Sequence, residues 1–377
     1  MKRIIILALI LCASFAPAAW GQHNWAQFHR QDMERYNPFE NILSRHNVGN
    51  LQLLWSYATG NGVYSSPAVA NGVVYVSSVD GSLYALNASA GTLLWSAPTV
   101  TEGDAAVANG VVYVSGSSQV YALDASTGAL LWSYTAGCGF VCGVSSPTVV
   151  NGVVYVGSSN YEVYALNAST GALLWSYTTA GVVESSPAVA NGVVYVGSAT
   201  DGADNQVYAL NASTGTLLWS YSPGAPPGNT VESSPAVANG VVYVGADNHK
   251  VYALNASTGA LLWSYTTGGP VGSSPAVANG VVYVGSQDNK VYALNASTGA
   301  LLWSYTAGNY VTSSPAVANG VVYVGSYDHK VYALRASNGV LKWSYTTGGI
   351  VDSSPVVANG VVYVGSVDNN VYAFGLP

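Results

Sequence analysis

Four acidic residues, Glu102, Glu184, Glu232 and Asp352, each stand just before a recurrence of one short apolar segment. If those segments surround a common opening, the carboxylates rim it. Converging carboxylates are hard oxygen ligands suited to Ca²⁺, which takes about six to eight oxygens. The four come from non-adjacent repeats, however, and solvated acids beside a pore need no ion, so no metal is assigned. Cys138 and Cys142, in GCGFVCG, form the other reactive pair. In an oxidising compartment a local disulfide is expected. Two cysteines with no histidine nearby are too few for zinc, and the redox spacing C-x-x-C is absent. His249 and His329 occupy equivalent turn positions and are read as solvated. No Ser/His/Asp or Cys/His arrangement for nucleophilic catalysis stands out.

These residues sit in a chain of unusual composition. Charged residues make up 7% of 377, against roughly 25% in an ordinary globular protein, and half the residues are apolar, with 28 Tyr and 10 Trp. Abundant Val, Tyr and Thr with scarce Lys and Glu point to β structure. The net charge of −7 comes from scattered acids, and no basic patch suggests nucleic acid. Lys2 and Arg3 precede an apolar run over residues 4–10, and Ala16-Pro17-Ala18 offers a cleavage site. Residues 1–18 are therefore expected to be a signal peptide cleaved after Ala18, giving a secreted or periplasmic protein. The run is too short to span a membrane, which takes about 20 apolar residues. Leu11 before Cys12 disfavours a lipoprotein.

The elements that must position the acids are repeats, the first thing to seek in such a chain. Trp55, Trp95, Trp132, Trp175, Trp219, Trp263, Trp303 and Trp343 follow one another at intervals of 40, 37, 43, 44, 44, 40 and 40. The string NGVVYV begins at Asn71, Asn109, Asn151, Asn191, Asn239, Asn279, Asn319 and Asn359. In one unit, residues 275–278 read as a short strand and Asn279-Gly280 as a tight hairpin turn. Residues 281–285 and 290–295 are strands joined by a turn at Gln287-Asp288-Asn289, where Asp and Asn tolerate left-handed geometry. Residues 301–305 complete four antiparallel strands in about 40 residues, one propeller blade. The repeats begin with a lone Trp strand at residues 51–57 and end with a blade, residues 353–374, that lacks one. If the first strand completes the last blade, the ring closes and no sheet edge is left open. The sequence thus predicts an all-β, eight-bladed β-propeller over residues 51–377, preceded by a leader at 19–50.

The segment ALNASTGALLW at residues 165–175 resembles the tryptophan-docking motif A-x-D-x-x-T-G-x-x-x-W of pyrroloquinoline-quinone (PQQ)-type propellers. It recurs from Ala209, Ala253 and Ala293, and Asp124 keeps the acid form in residues 122–132. The leader over residues 24–55 is similar to the segment that opens such propellers. The resemblance implies that the eight tryptophans pack flat on neighbouring blades. The family includes quinoprotein alcohol and glucose dehydrogenases and non-enzymatic propellers such as the outer-membrane β-barrel assembly lipoprotein, and this chain looks closest to the latter branch. Membership alone does not settle function.

Near-identical units make their differences informative. The Asn-Gly and Ala-Ser-Thr-Gly turns barely change and should lie at one end. The Asn-Ala-Ser tripeptide of the latter fits a glycosylation acceptor, though a turn needing Asn and Ser explains it. The remaining loops vary and should share the opposite face. Phe140, Tyr161, Tyr310 and Tyr327 are candidate anchors there for a protein or glycan, since aromatics dominate interaction hot spots. A quinone-dependent dehydrogenase would need PQQ, Ca²⁺, a general-base Asp and an Arg beside the quinone. Arg30, Arg35 and Arg45 precede the first blade, Arg335 sits in a docking turn, and none reads as channel-facing. No C-x-x-C-H haem site follows. The expectation is a monomeric, non-catalytic binding scaffold without a cofactor. A PQQ/Ca²⁺-dependent dehydrogenase, or a purely structural repeat protein, is the alternative.

Overall fold

The computed structural model describes residues 24–30, 32–99, 103–137, 143–199, 205–224 and 230–377. The expected signal peptide and Cys12 lie outside them. Each Asn-Gly turn places both central residues at positive φ, as at Asn279 (φ 50°) and Gly280 (φ 76°), the geometry that suits the twist of a hairpin. It joins a three-residue inner strand such as Ala276–Ala278 to the second strand, Val281–Ser286. Lys290–Asn295 and Leu301–Thr306 follow, so the four strands fall where the sequence places them, to within a residue. In the third-to-outer turn the Asn295 side-chain oxygen accepts the N–H groups of Ser297 and Thr298. That is the turn role expected of the Asn-Ala-Ser tripeptide.

Eight such four-stranded antiparallel blades form the propeller, the seventh extended by a parallel two-residue strand of the leader, Tyr36–Asn37. Gln52–Ala58 supplies the outer strand of the eighth blade, pairing Gln52 with Gly375, Trp55 with Ala373 and Ala58 with Asn370. The ring is therefore closed by the two ends of the repeat region, as anticipated.

Adjacent blades are locked by one repeated contact. The Trp263 Nε1–H and the Tyr243 hydroxyl of blade 5 both donate to the Ala296 carbonyl of blade 6, at 2.9 and 3.2 Å. Trp55 and Tyr363 converge in the same way on Ala88, and Trp219 and Tyr195 on Ala256. The ring of each Trp lies on the glycine of the next blade's turn. A Cβ at Gly299 would fall 2.6 Å from the Trp263 ring, whereas one at Gly280 would meet nothing within 4 Å. Only a residue without a side chain lets the indole reach that turn. The motif's Thr-Gly and Trp are two halves of one contact. Trp343 is the exception: at the closing seam its Nε1–H donates to Leu51 O, and Phe374 packs edge-on at 5.0 Å.

Gly280 and Gly299 both have positive φ, so alanine strains both backbones, but only Gly299→Ala also drives a methyl into the docked indole. We expect Gly280→Ala to cost about 1 kcal/mol and Gly299→Ala at least about 2 kcal/mol more, from overpacking. Urea midpoints that shift equally would contradict the docking account.

Candidate functional site

The variable-loop end is less free than the repeat pattern suggests. Among the described residues, in four blades a hairpin aspartate accepts both a tyrosine hydroxyl of its own blade and a backbone N–H from the preceding connection. Asp80 takes Tyr84 Oη at 2.6 Å and the Gly60 N–H at 2.7 Å. Asp288, Asp328 and Asp368 repeat the arrangement. Asn160 and Asn248 meet Tyr164 and Tyr252 instead, at 2.7 Å each. The hairpins that differ between blades are thus partly constrained: in these six the Asp or Asn meets a tyrosine of its own blade.

Of the candidate rim acids, Glu184 and Glu232 are exposed and Asp352 is half-buried; Glu102 lies outside the described residues. Asp352 accepts hydrogen bonds from Thr312 Oγ1 and from Tyr327 Oη. Among the described residues, no group of three or more His, Cys, Asp or Glu side chains is placed to hold a metal ion. Cys138, Phe140 and Cys142 also lie outside the described residues. Tyr161 is 42% exposed on blade 3, apart from the other anchors. Tyr310 and Tyr327 come together, with ring centroids 6.2 Å apart at 44°. Tyr64, 47% exposed, is near enough to act on the Tyr327 hydroxyl electrostatically. Burial, then the neighbouring Asp352 carboxylate, hold that hydroxyl above the usual phenol range. Tyr64 holds the rim position of blade 1, and the sequence signal for it is an aromatic where other blades carry Glu, Asp, Val, Gly or Thr.

The channel holds what the sequence did not reveal. The leader runs inside the ring and meets the blades in order. Trp25 exchanges two main-chain hydrogen bonds with Val69 of blade 1, and Ala26 O accepts Val107 N–H of blade 2. Gln27 Oε1 accepts Val149 N–H of blade 3. Met33, Glu34 and Arg35 carbonyls accept Val237, Val277 and Val317 of blades 5, 6 and 7, and Asn37 Nδ2 donates to Val357 O of blade 8. Inner-strand edges that would otherwise face an empty channel are satisfied by the chain itself.

Arg35 is fully buried there, which corrects the expectation that no arginine faces the channel. Its guanidinium donates to the carbonyls of Phe28, Ser314, Pro315 and Pro355 at 2.6–3.3 Å and lies 4.4 Å from the Phe28 ring centroid. Burial pulls it down to about 9, against the favourable charge of Asp104. Asp104 replaces the second serine of the Ser-Ser-Pro start in blade 2. It extends a circuit in which one blade's N–H donates to the next blade's side chain: Ser186 to Ser234, Ser234 to Ser274, Ser274 to Ser314, Ser314 to Ser354, Ser354 to Ser66, Ser66 to Asp104 and Asp104 to Ser146. Burial raises Asp104 to about 6, with its hydrogen bonds from Ser66 and the charge of Arg35 opposing. Burial and then the Arg35 charge depress buried His29 to about 3; its ring stands edge-on to Phe28.

Overlapping windows of the chain, residues 51–136, 97–160, 143–235, 226–311 and 307–375, match the family model described as outer membrane protein assembly factor BamB. The chain belongs to this family of PQQ-type propellers. Among curated proteins, a stretch of 115 residues is 33% identical to the dehydrogenase subunit of a quinone-dependent alcohol dehydrogenase from Gluconobacter oxydans (strain 621H). That stretch covers 25% of this chain and 15% of the relative. Among solved structures, a europium-containing methanol dehydrogenase superposes with a TM-score of 0.83 at 16% identity, over 94% of this chain and 98% of that one. BamB from Moraxella catarrhalis gives 0.73 at 21%, over 86% and 100%. At such identities the likeness is one of fold.

Asp104 binds its proton more tightly folded than unfolded, so its contribution to stability is greatest at low pH and is lost as pH rises from about 4 to about 6. The unfolding free energy of the parent, less that of Asp104→Asn, should fall across that window by on the order of 2 kcal/mol. His29, held neutral when folded, works the other way and loses stability as pH falls from about 6.5. A parent-minus-variant difference that stays flat from pH 4 to 6 would show that Asp104 is not buried as a carboxylate.

Proposed function

We propose that this protein is a secreted or periplasmic, non-catalytic propeller scaffold that binds a protein or glycan partner through its variable-loop face. The observation that carries this reading is the cluster of Tyr64, Tyr310 and Tyr327 beside Asp352. Tyr64 and Tyr310 are exposed and Tyr327 is half-buried, the Tyr310 and Tyr327 rings lie 6.2 Å apart, and the residues stand on loops held by the Asp–Tyr–Gly contacts. Rigid aromatics next to a hydrogen-bonding carboxylate give large contact area at low entropic cost, the usual make-up of an interaction hot spot.

The dehydrogenase alternative draws on the quinone-dependent relatives. PQQ is a tricarboxylate quinone and needs cationic and metal partners. The channel residues do not fit it. The buried arginine donates to four backbone carbonyls and has an aromatic ring on its face, and the leader lies along the inner strands that line the channel. No step is derived through that group.

The test pairs a triple variant, Tyr64→Ala/Tyr310→Ala/Tyr327→Ala, with a control on the opposite end, Ser169→Ala/Ser213→Ala/Ser257→Ala, where the serines are exposed in docking turns. Immobilised protein is challenged with envelope extract and with a glycan array. The tyrosine variant should lose at least about tenfold in retention of whatever the parent holds, and the serine control should match the parent. Equal retention by all three, or quinone absorbance with dye reduction after addition of PQQ and Ca²⁺, would overturn the reading.

A further inference from the structure

The end opposite the variable loops carries a second, unrelated surface. Each outer strand begins with two leucines or their equivalents. A register shift sets both against one residue of the third strand, as at Leu173 and Leu174 against Leu166. Both side chains are left about half exposed all round the ring, with Leu54 at 44%, Leu174 at 50% and Leu341 at 42%. At the closing seam between blades 7 and 8 the leader adds Ile42, 49% exposed and packed over Gly360, while Leu54 reaches Gly375.

The same sector collects cations. Arg45 is exposed beside Ile42 in sequence, Lys342 follows Leu341, and Arg335 ends the third strand of blade 7. None of the three forms an ion pair among the described residues. The one carboxylate of the sector, Glu40, is buried and accepts the N–H groups of Ile42, Leu43 and Gly360. Asp124 stands in the docking turn of blade 2, Asp32 and Glu34 belong to the leader where it meets blades 5 and 6, and Asp80, Asp288, Asp328 and Asp368 stand in hairpins of the opposite end. In a chain with a net charge of −7, exposed Arg45 and half-buried Arg335 and Lys342 thus stand among exposed aliphatic side chains with no exposed carboxylate beside them, whereas Lys250, Lys290 and Lys330 at the opposite end stand next to the hairpin aspartates.

We infer that this seam sector, centred on Ile42, Leu54, Leu341, Arg45 and Lys342, seats the propeller on an anionic lipid bilayer. Aliphatic groups that enter the headgroup region, flanked by Lys and Arg that meet anionic lipid, are the make-up of interfacial membrane contacts. Charge complementarity argues against a second copy of the same face, which would oppose like charges. Asn24 also lies at this end, its Oδ1 accepting the Asn71 N–H at an Asn-Gly turn of blade 1, next to the seam. Seated this way, the propeller presents its variable loops away from the membrane. The inference stands without the proposed function, since it uses different residues on the other end.

The test is co-sedimentation of the full chain with vesicles of phosphatidylglycerol and phosphatidylcholine, and with phosphatidylcholine alone. The parent should bind the anionic vesicles and lose binding with rising salt. Arg45→Glu/Lys342→Glu should weaken partitioning at least about tenfold, and Ile42→Ser/Leu341→Ser should also weaken it. Leu173→Ser/Leu174→Ser, equally exposed but across the ring, should match the parent. The inference is overturned if the charge-reversed chain binds like the parent, or if the blade 3 pair matters as much as the seam. A dimer broken by the seam variants without any vesicle binding would overturn it too.

Discussion

The fold rests on a single carbonyl per blade. At seven of the eight junctions a docking-turn alanine receives an indole N–H and a phenol O–H from the previous blade, as Ala296 does from Trp263 and Tyr243, while at the seam Leu51 O receives the Trp343 indole alone. Each donor would cost free energy if buried without a partner, and the carbonyl's two lone pairs satisfy both at once. This explains why Trp and Tyr recur at fixed separation and why the turn ends in glycine: the indole must lie on the turn to reach the carbonyl. A propeller blade cannot bury both its faces alone, so these interfaces hold the blades in register. With 7% charged residues, ion pairs contribute little to that task.

The channel presents a second constraint. Eight short inner strands turn backbone groups towards the axis, and unsatisfied buried N–H groups are costly. Two devices meet this cost. Serines link one blade to the next in a circuit, and the leader supplies main-chain partners to blade after blade. Glu40 and Asn37 extend the same service with side chains. Filling the channel in this way places any binding chemistry on the two ends, where the tyrosine cluster and the seam sector lie.

Much of this was legible in the sequence, and what was missed has a common cause. Strand positions, hairpin turns, the eight tryptophans and the closing strand all follow from local pattern and from the repeat period. Tyr310 and Tyr327 stand out in the sequence because they interrupt a repeat, and the structure brings their rings within 6.2 Å. Arg35 and His29 were not, since the leader is unique in the chain and nothing repeated in it shows which way its side chains point. Asp104 did leave a trace: Gly-Asp-Ala stands where other blades have Ser-Ser-Pro. Reading it required knowing that the second serine accepts a hydrogen bond from the neighbouring blade. The leucine pairs were visible as text, but their exposure depends on the irregular register at each outer strand, which alternation alone does not predict.

Near-identical blades carry a hazard that the unique parts of the chain answer. Blades 5, 6 and 7 share almost the same sequence, so hairpins could pair with the wrong outer strand at little cost in contacts. A sequence that stabilises only the intended pairing, without penalising others, invites such slips. The seam breaks the degeneracy. Blade 8 has no outer strand of its own, and Trp343 meets Leu51 O where the other tryptophans meet a turn alanine. Phe374 occupies the position where other blades carry leucine, and it packs against Trp343 and Tyr345. The leader adds a directional check, because its contacts with Val69, Val107 and Val149 at one end and Val277, Val317 and Val357 at the other fit only blades in the correct cyclic order. The repeats therefore supply the blade, while the leader and the seam residues that do not repeat determine which blade is first and where the ring closes.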